Sequence, residues 1–159
     1  MSTDNTKTLK ITSALHQPFF DRLANSTNCL IAGCGGGYDF FSAIPLYLSL
    51  EKAGLNVYLA NLTFTNSLHE TTARKIGPTC YCVNEETKDK DASKSLNSSR
   101  SSYFPELLVA KFFKKELNKN INVYTFERSG VPQMLQSYQA VVDELKIDTI
   151  ILADGGTDR

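Results

Sequence analysis

The sequence predicts an α/β fold, a three-layer sandwich in which helices cover both faces of a mainly parallel sheet of about four strands. Three observations point to it. Short apolar runs alternate with amphipathic stretches along the chain. Two of those runs, Cys29-Leu30-Ile31-Ala32 and Thr149-Ile150-Ile151-Leu152-Ala153, are almost continuously apolar, as strands buried on both faces must be. Each of the two leads directly into a glycine-rich turn.

The elements follow in chain order. Residues 1–27 read as an N-terminal extension with room for one short helix, and residues 28–159 as the domain itself. After the first strand, Phe40 to Ala53 has a helical pattern that Gly54 stops, with Pro45 inside it. If Ser42 is the N-cap, Pro45 takes the third helical position, where its missing N–H has no intrahelical partner; otherwise the helix kinks. Val57-Tyr58-Leu59-Ala60 is the second strand. A polar insertion, residues 66–102, comes next. Within it Cys80-Tyr81-Cys82 alternates as a strand does, with both thiols on one face. Residues 84–102 are nearly all polar or charged, which suits either a solvated loop or a lid over a ligand. Pro105 and Glu106 open a second helix whose apolar side is Leu108, Phe112, Phe113 and Leu117, and Asn118-Lys119-Asn120 end it. Ile121 to Phe126 alternates as the third strand. From Pro132 a third helix presents Met134, Leu135, Tyr138, Val141, Val142 and Leu145 as one stripe towards the sheet. The run at 149–153 is the fourth strand.

Composition excludes several classes of function. Lys plus Arg number 17 and Asp plus Glu number 17, with a pI near 6.7, so no basic surplus exists to hold a nucleic acid backbone. No run approaches the ~18–20 apolar residues of a membrane span, and residues 1–10 lack a signal-peptide core, so the chain is expected to be cytoplasmic. Cys29, Cys34, Cys80 and Cys82 contain no Cys-x-x-Cys pair and only His16 and His69 to join them. Reduced thiols are therefore expected rather than a zinc framework.

The chemistry-bearing residues cluster after strands. In Ala32-Gly33-Cys34-Gly35-Gly36-Gly37-Tyr38-Asp39, glycines let backbone N–H groups approach a phosphate at a helix start. The dinucleotide fingerprint is not met, because Tyr38 holds its third glycine position and Asn61, not an acid, ends the second strand. Asp154-Gly155-Gly156-Thr157-Asp158 follows the fourth strand. If the first and fourth strands are neighbours, Asp39, Asp154 and Asp158 converge, and three carboxylates suit Mg²⁺ with a phosphorylated ligand. Candidate ligand contacts are Gly35, Gly36, Gly37, Asp39, Asn61, Arg128, Gly155, Gly156 and Thr157. Candidate catalytic acids or bases are Asp39, Glu106, Asp154 and Asp158. Each also has a structural reading: Asp39 capping its turn, Glu106 favouring a helix N-terminus, Arg128 pairing with a carboxylate. Cys34 has the position of an activated thiol but no histidine near it in sequence.

These segments resemble the family catalogued as domain of unknown function 1152. The matching stretches are residues 32–39, Pro-Leu-Tyr at 45–47, Leu-Ala-Asn-Leu-Thr-Phe at 59–64, Tyr-Phe-Pro-Glu at 103–106, Phe-Glu-Arg-Ser-Gly-Val at 126–131 and Asp-Gly-Gly-Thr-Asp at 154–158. The resemblance implies a Rossmann-like domain and supplies no reaction. Similar proteins carry a smaller residue at the position of Cys34 and continue well past the last motif. On that resemblance the chain is expected to be C-terminally truncated at Arg159, as a shortened or degenerate copy or half of a split protein, with an exposed apolar strand edge.

Three functions remain open. The first is a site for a nucleotide or another phosphorylated or hydroxyl-rich small molecule with a divalent cation, of which a hydrolase or transferase is the stronger form. The second is an inactive remnant, or a half-domain that needs a partner or a second copy. The third is a protein interaction module that uses residues 66–102.

Overall fold

A computed structural model of the chain describes residues 18–65, 68–88 and 103–155. Among them one sheet contains β1 Asn28–Gly33, β2 Asn56–Thr63, β3 Arg74–Lys75, β4 Cys80–Val83, β5 Val123–Glu127 and β6 Thr149–Ala153. The helices are α1 Pro18–Arg22, α2 Ile44–Lys52, α3 Pro105–Leu117 and α4 Val131–Leu145, with short 3-10 turns at Asp39–Ala43 and Leu68–Glu70.

Strand order across the sheet is β3-β4-β5-β2-β1-β6. The last four of these are mutually parallel, and β1 lies between β2 and β6, with Ile31 opposite Leu59 on one side and Ile151 on the other. Residues 29–32 of β1 are fully buried because each face of that strand meets a helical layer. Cys29 and Ile31 join Tyr47, Val109 and Phe113 beneath α2 and α3, whereas Leu30 and Ala32 join Phe126 and Val141 beneath α4. Burial of each large aliphatic side chain contributes about 1.5–3 kcal/mol. A one-residue slip of β1 would move every side chain into the wrong layer.

The sheet is mixed and has six strands among the described residues, not about four in a mainly parallel array. The difference lies in the segment read as a polar insertion. Its first half forms the hairpin β3–β4, and β4 pairs antiparallel with β5, Cys82 opposite Tyr124. The predicted alternation holds: Cys80 and Cys82 enter the core beneath α4, while Tyr81 and Val83 pack with Leu68 and Phe104 on the opposite face. Both thiols are free, and burial pushes both up in pKa. Of residues 84–102, on which the loop and lid readings fall, 84–88 form a turn in which the Asn84 N–H donates to Thr87 Oγ1 at 3.0 Å, and 89–102 lie outside the described residues.

Three helical expectations need correction. α3 buries Glu106, Val109, Ala110 and Phe113, while Leu108, Phe112 and Leu117 of the expected stripe are exposed. Adjacent apolar pairs such as Leu108-Val109 and Phe112-Phe113 leave the face undecided on periodicity alone, and the inward position of Glu106 sets it. In α4, Leu135 is likewise exposed, and the buried face includes Ser137. Ser42 is not a helix cap; its hydroxyl donates to the Asp39 carbonyl at 2.7 Å inside the 3-10 turn, and Pro45 falls in the first turn of α2. The helix needs no kink.

At the other edge, among the described residues, β6 pairs with β1 alone. Ile150 is 43 % and Leu152 66 % exposed, so the α4 side of this strand is an uncovered apolar edge. Among the described residues no helix is long and apolar enough to cross a membrane.

Candidate functional site

The carboxyl ends of β1, β2, β5 and β6 form one rim, since these strands are parallel. At that rim the chain leaves β1 for α2 on one face of the sheet and leaves β5 for α4 on the other, and open α/β sheets hold ligands outside the carboxyl ends of their strands.

Glycine permits the turn after β1. Gly36 and Gly37 have φ of 90° and 61°, in the region that side-chain-bearing residues rarely adopt. The turn is tied to both neighbouring strands: Gly37 N–H donates to Leu62 O at 3.0 Å, and Cys34 N–H to Ala153 O at 2.9 Å. The carboxylate of Asp39 folds back against Gly35. The second glycine turn arrives at the same place. A Cβ on Gly155 would stand 2.7 Å from Ser42 Cβ and 2.9 Å from the Asp39 carbonyl. Thus Asp39 and Gly155 adjoin, as neighbouring first and last strands require.

Beneath the turn lies a buried polar pair. Asn61, 1 % exposed, lies in β2 two residues before its carboxyl end and donates from Nδ2 to the Gly37 carbonyl and to Glu106 Oε1, both at 2.8 Å. Glu106 is 0 % exposed, and among the described residues neither its Oε2 nor Asn61 Oδ1 meets a hydrogen-bond partner. Burial pushes the Glu106 carboxyl up in pKa; its own backbone N–H, Asn61 and Thr63 pull less strongly the other way. The magnitudes explain the direction. A helix N-terminus favours an acid by about 0.3–1 kcal/mol, whereas burying an unpaired carboxylate costs several kcal/mol.

Aromatic rings border the turn. Phe64 and the Tyr103 hydroxyl crowd Gly37, where a Cβ would lie 3.3 Å from the first and 2.8 Å from the second. Arg128, at the end of β5, lies 5.2 Å above the Phe64 ring. Tyr38 meets Tyr103 edge to face at 5.3 Å. Beside it an apolar cleft of about 500 Å³ runs between Tyr38, Phe41 and Pro45 and the Leu108 and Phe112 side of α3.

The structure therefore brings Gly35, Gly36, Gly37, Asp39, Arg128, Asp154 and Gly155 to one rim, with Asn61 and Glu106 under it rather than on it. Asp154 and Gly155 are exposed. Gly156, Thr157 and Asp158 lie outside the described residues, as does His16. Among the described residues no group of three His, Cys, Asp or Glu side chains could hold a metal ion. Cys34 is exposed, and its thiol donates to the Ala153 carbonyl at 3.3 Å. His69 is far along the chain in the second 3-10 turn, beside Glu70. The sequence reading placed the Tyr103-Phe104-Pro105-Glu106 segment on this edge but missed Phe64 and the Asn61–Glu106 contact. Its available signal was a pair of polar residues at the end of a buried strand and the start of a helix.

Comparison with family models, with curated proteins and with solved structures gave no match to this chain. Fold and site thus define an α/β protein with a mixed six-stranded sheet among the described residues and a glycine-lined rim.

Proposed function

We propose that this chain is a Rossmann-like protein that binds a nucleotide or another phosphorylated or hydroxyl-rich small molecule at the rim, together with a divalent cation. The supporting observation is the contact of Gly155 with the Asp39–Ser42 turn. Two glycine-bearing connections from adjacent parallel strands approach each other closely there, which brings their backbones to one point of the rim, and helix-start N–H groups favour anionic oxygens. Asp39, Asp154 and Asp158 are the oxygen ligands offered to Mg²⁺. A hydrolase or transferase at this site is the stronger form of the reading. Membership of the family catalogued as domain of unknown function 1152 belongs to the same proposal and rests on the six sequence segments.

A thermal-shift series with nucleotides and sugar phosphates, with and without Mg²⁺, tests it. A ligand at about 100 times its Kd stabilises the fold by about 2.7 kcal/mol. A rise in Tm that Gly36→Val removes is expected; no rise with any of these ligands overturns the reading.

The apolar edge that β6 exposes among the described residues favours a second reading, a half-domain whose sheet a partner or second copy completes. Light scattering decides between a monomer, which counts against it, and a dimer that Leu152→Lys dissociates.

A further inference from the structure

Glu106 is the buried titratable group that the ligand reading leaves without a task. It stands at the start of α3, out of reach of solvent, and its Oε1 accepts Asn61 Nδ2 at 2.8 Å, with Thr63 of β2 also beside the carboxyl. Asn61 in turn grips the carbonyl of Gly37, a residue at φ 61°. The orientation of the Asn61 amide is settled by this contact: turned over, its oxygen would face the Gly37 carbonyl. A chain of two hydrogen bonds therefore links the helix start to the glycine turn. Both orphaned atoms of the pair, Glu106 Oε2 and Asn61 Oδ1, are acceptors when Glu106 is ionised. A proton on Oε2 converts one of them into a donor and removes a buried charge.

We propose that Glu106 is a positioning residue: as a neutral carboxylic acid it holds Asn61, and through it the Gly36–Gly37 turn, so that anion binding at this turn is coupled to the Glu106 proton.

The groups around it agree in sign. Tyr103 lies against Gly37, and its phenol is pushed up by burial first and then by Tyr38, Glu106 and Asp39, all of which become negative on losing a proton. Asn61 and Thr63 on β2 are neutral. Arg128 at the rim is occupied with the Phe64 ring. Ionising Glu106 would thus add negative charge under the place offered to an anion and strain the bonds that hold the turn. By linkage, a bound anion must then raise the affinity of Glu106 for its proton. The coupling rests on the rim being an anion site; the positioning does not.

Amide exchange of the ligand-free full chain tests the positioning alone. Protection at Gly37, relative to an α4 core amide, is expected to fall roughly three- to tenfold as pH rises from the ordinary carboxyl range through the raised folded-state value of Glu106. Glu106→Gln should keep protection high across the range, since its amide also lacks a charge, and Asn61→Ala should lower it at every pH. Parallel profiles for wild type and Glu106→Gln overturn the proposal, as does unchanged protection in Asn61→Ala. Should Asn61→Ala fail to fold, the Glu106→Gln comparison decides by itself. A second arm titrates MgATP: the Kd of wild type should weaken with rising pH and that of Glu106→Gln should not, and equal pH dependence overturns the coupling. Absence of MgATP binding by both, with the exchange result as expected, removes the nucleotide reading and the coupling while the positioning role stands.

Discussion

Ser137, in the middle of α4, accepts the Thr79 backbone N–H on its hydroxyl at 2.9 Å, so a helix side chain terminates the β3–β4 turn. Gly77 makes the approach feasible, because a Cβ there would lie 2.8 Å from Ser137 Cα. The hairpin that extends the sheet is thus fastened to the helix layer at one buried point. Gly77→Val should cost about 1–3 kcal/mol by overpacking this contact, and Ser137→Ala about 1–2 kcal/mol by leaving the Thr79 N–H unpaired. Urea unfolding followed by far-ultraviolet dichroism measures both; wild-type midpoints would refute the fastening.

Burial of Glu106 predicts a pH-dependent stability. Its folded-state pKa lies above the ordinary value of about 4.5, so the folded state binds the proton more tightly than the unfolded chain. Its contribution is therefore full below about pH 4.5 and is lost as pH rises through the folded value. Glu106→Gln should be more stable than wild type at pH 7, and the gap should close on acidification below about pH 4. Denaturant titrations at several pH values read the gap directly.

Asp148 behaves in the opposite sense. Its Oδ2 accepts the N–H groups of Thr27 and Asn28 at 2.7 and 3.0 Å, and the Asn28 bond first, with Thr27, Thr149 and Ser26 in support, holds the carboxyl below its ordinary range. That stabilisation is present above the unfolded pKa and is lost as pH falls through the depressed folded value. Asp148→Ala should lower Tm by a few degrees at pH 7 and by less in strong acid. A difference independent of pH would contradict it.

Lys146 ends α4 with a φ of 54°, and its carbonyl accepts Asn28 Nδ2 at 3.0 Å. Glycine meets this backbone requirement without the Cβ cost and preserves the carbonyl. Lys146→Gly should stabilise the fold by roughly 0.5–1 kcal/mol. Chemical denaturation with an unchanged slope checks it.

Much of the rim was readable along the chain. A strand that is apolar at every position announces that it lies between two layers, and a following Gly33-to-Gly37 segment announces a turn with unusual backbone angles. The buried face of α3 was not readable, since Leu108-Val109 and Phe112-Phe113 offer the same hydrophobicity on two faces. Nor was β4's role: Cys80-Tyr81-Cys82 alternates visibly, but four residues without a partner in view do not reveal which strand they join or in which direction.

By itself the sequence determined the parallel strands, the helices between them and the two glycine turns, because burial on one or two faces imprints a local period on neighbouring residues. Only the tertiary structure decided that β6 lies beside β1, that β4 runs against β5, and that Asn61 meets Glu106 beneath Gly37. These are pairings between distant residues, chosen by how whole surfaces fit and how buried polar groups find partners, and no local period records them.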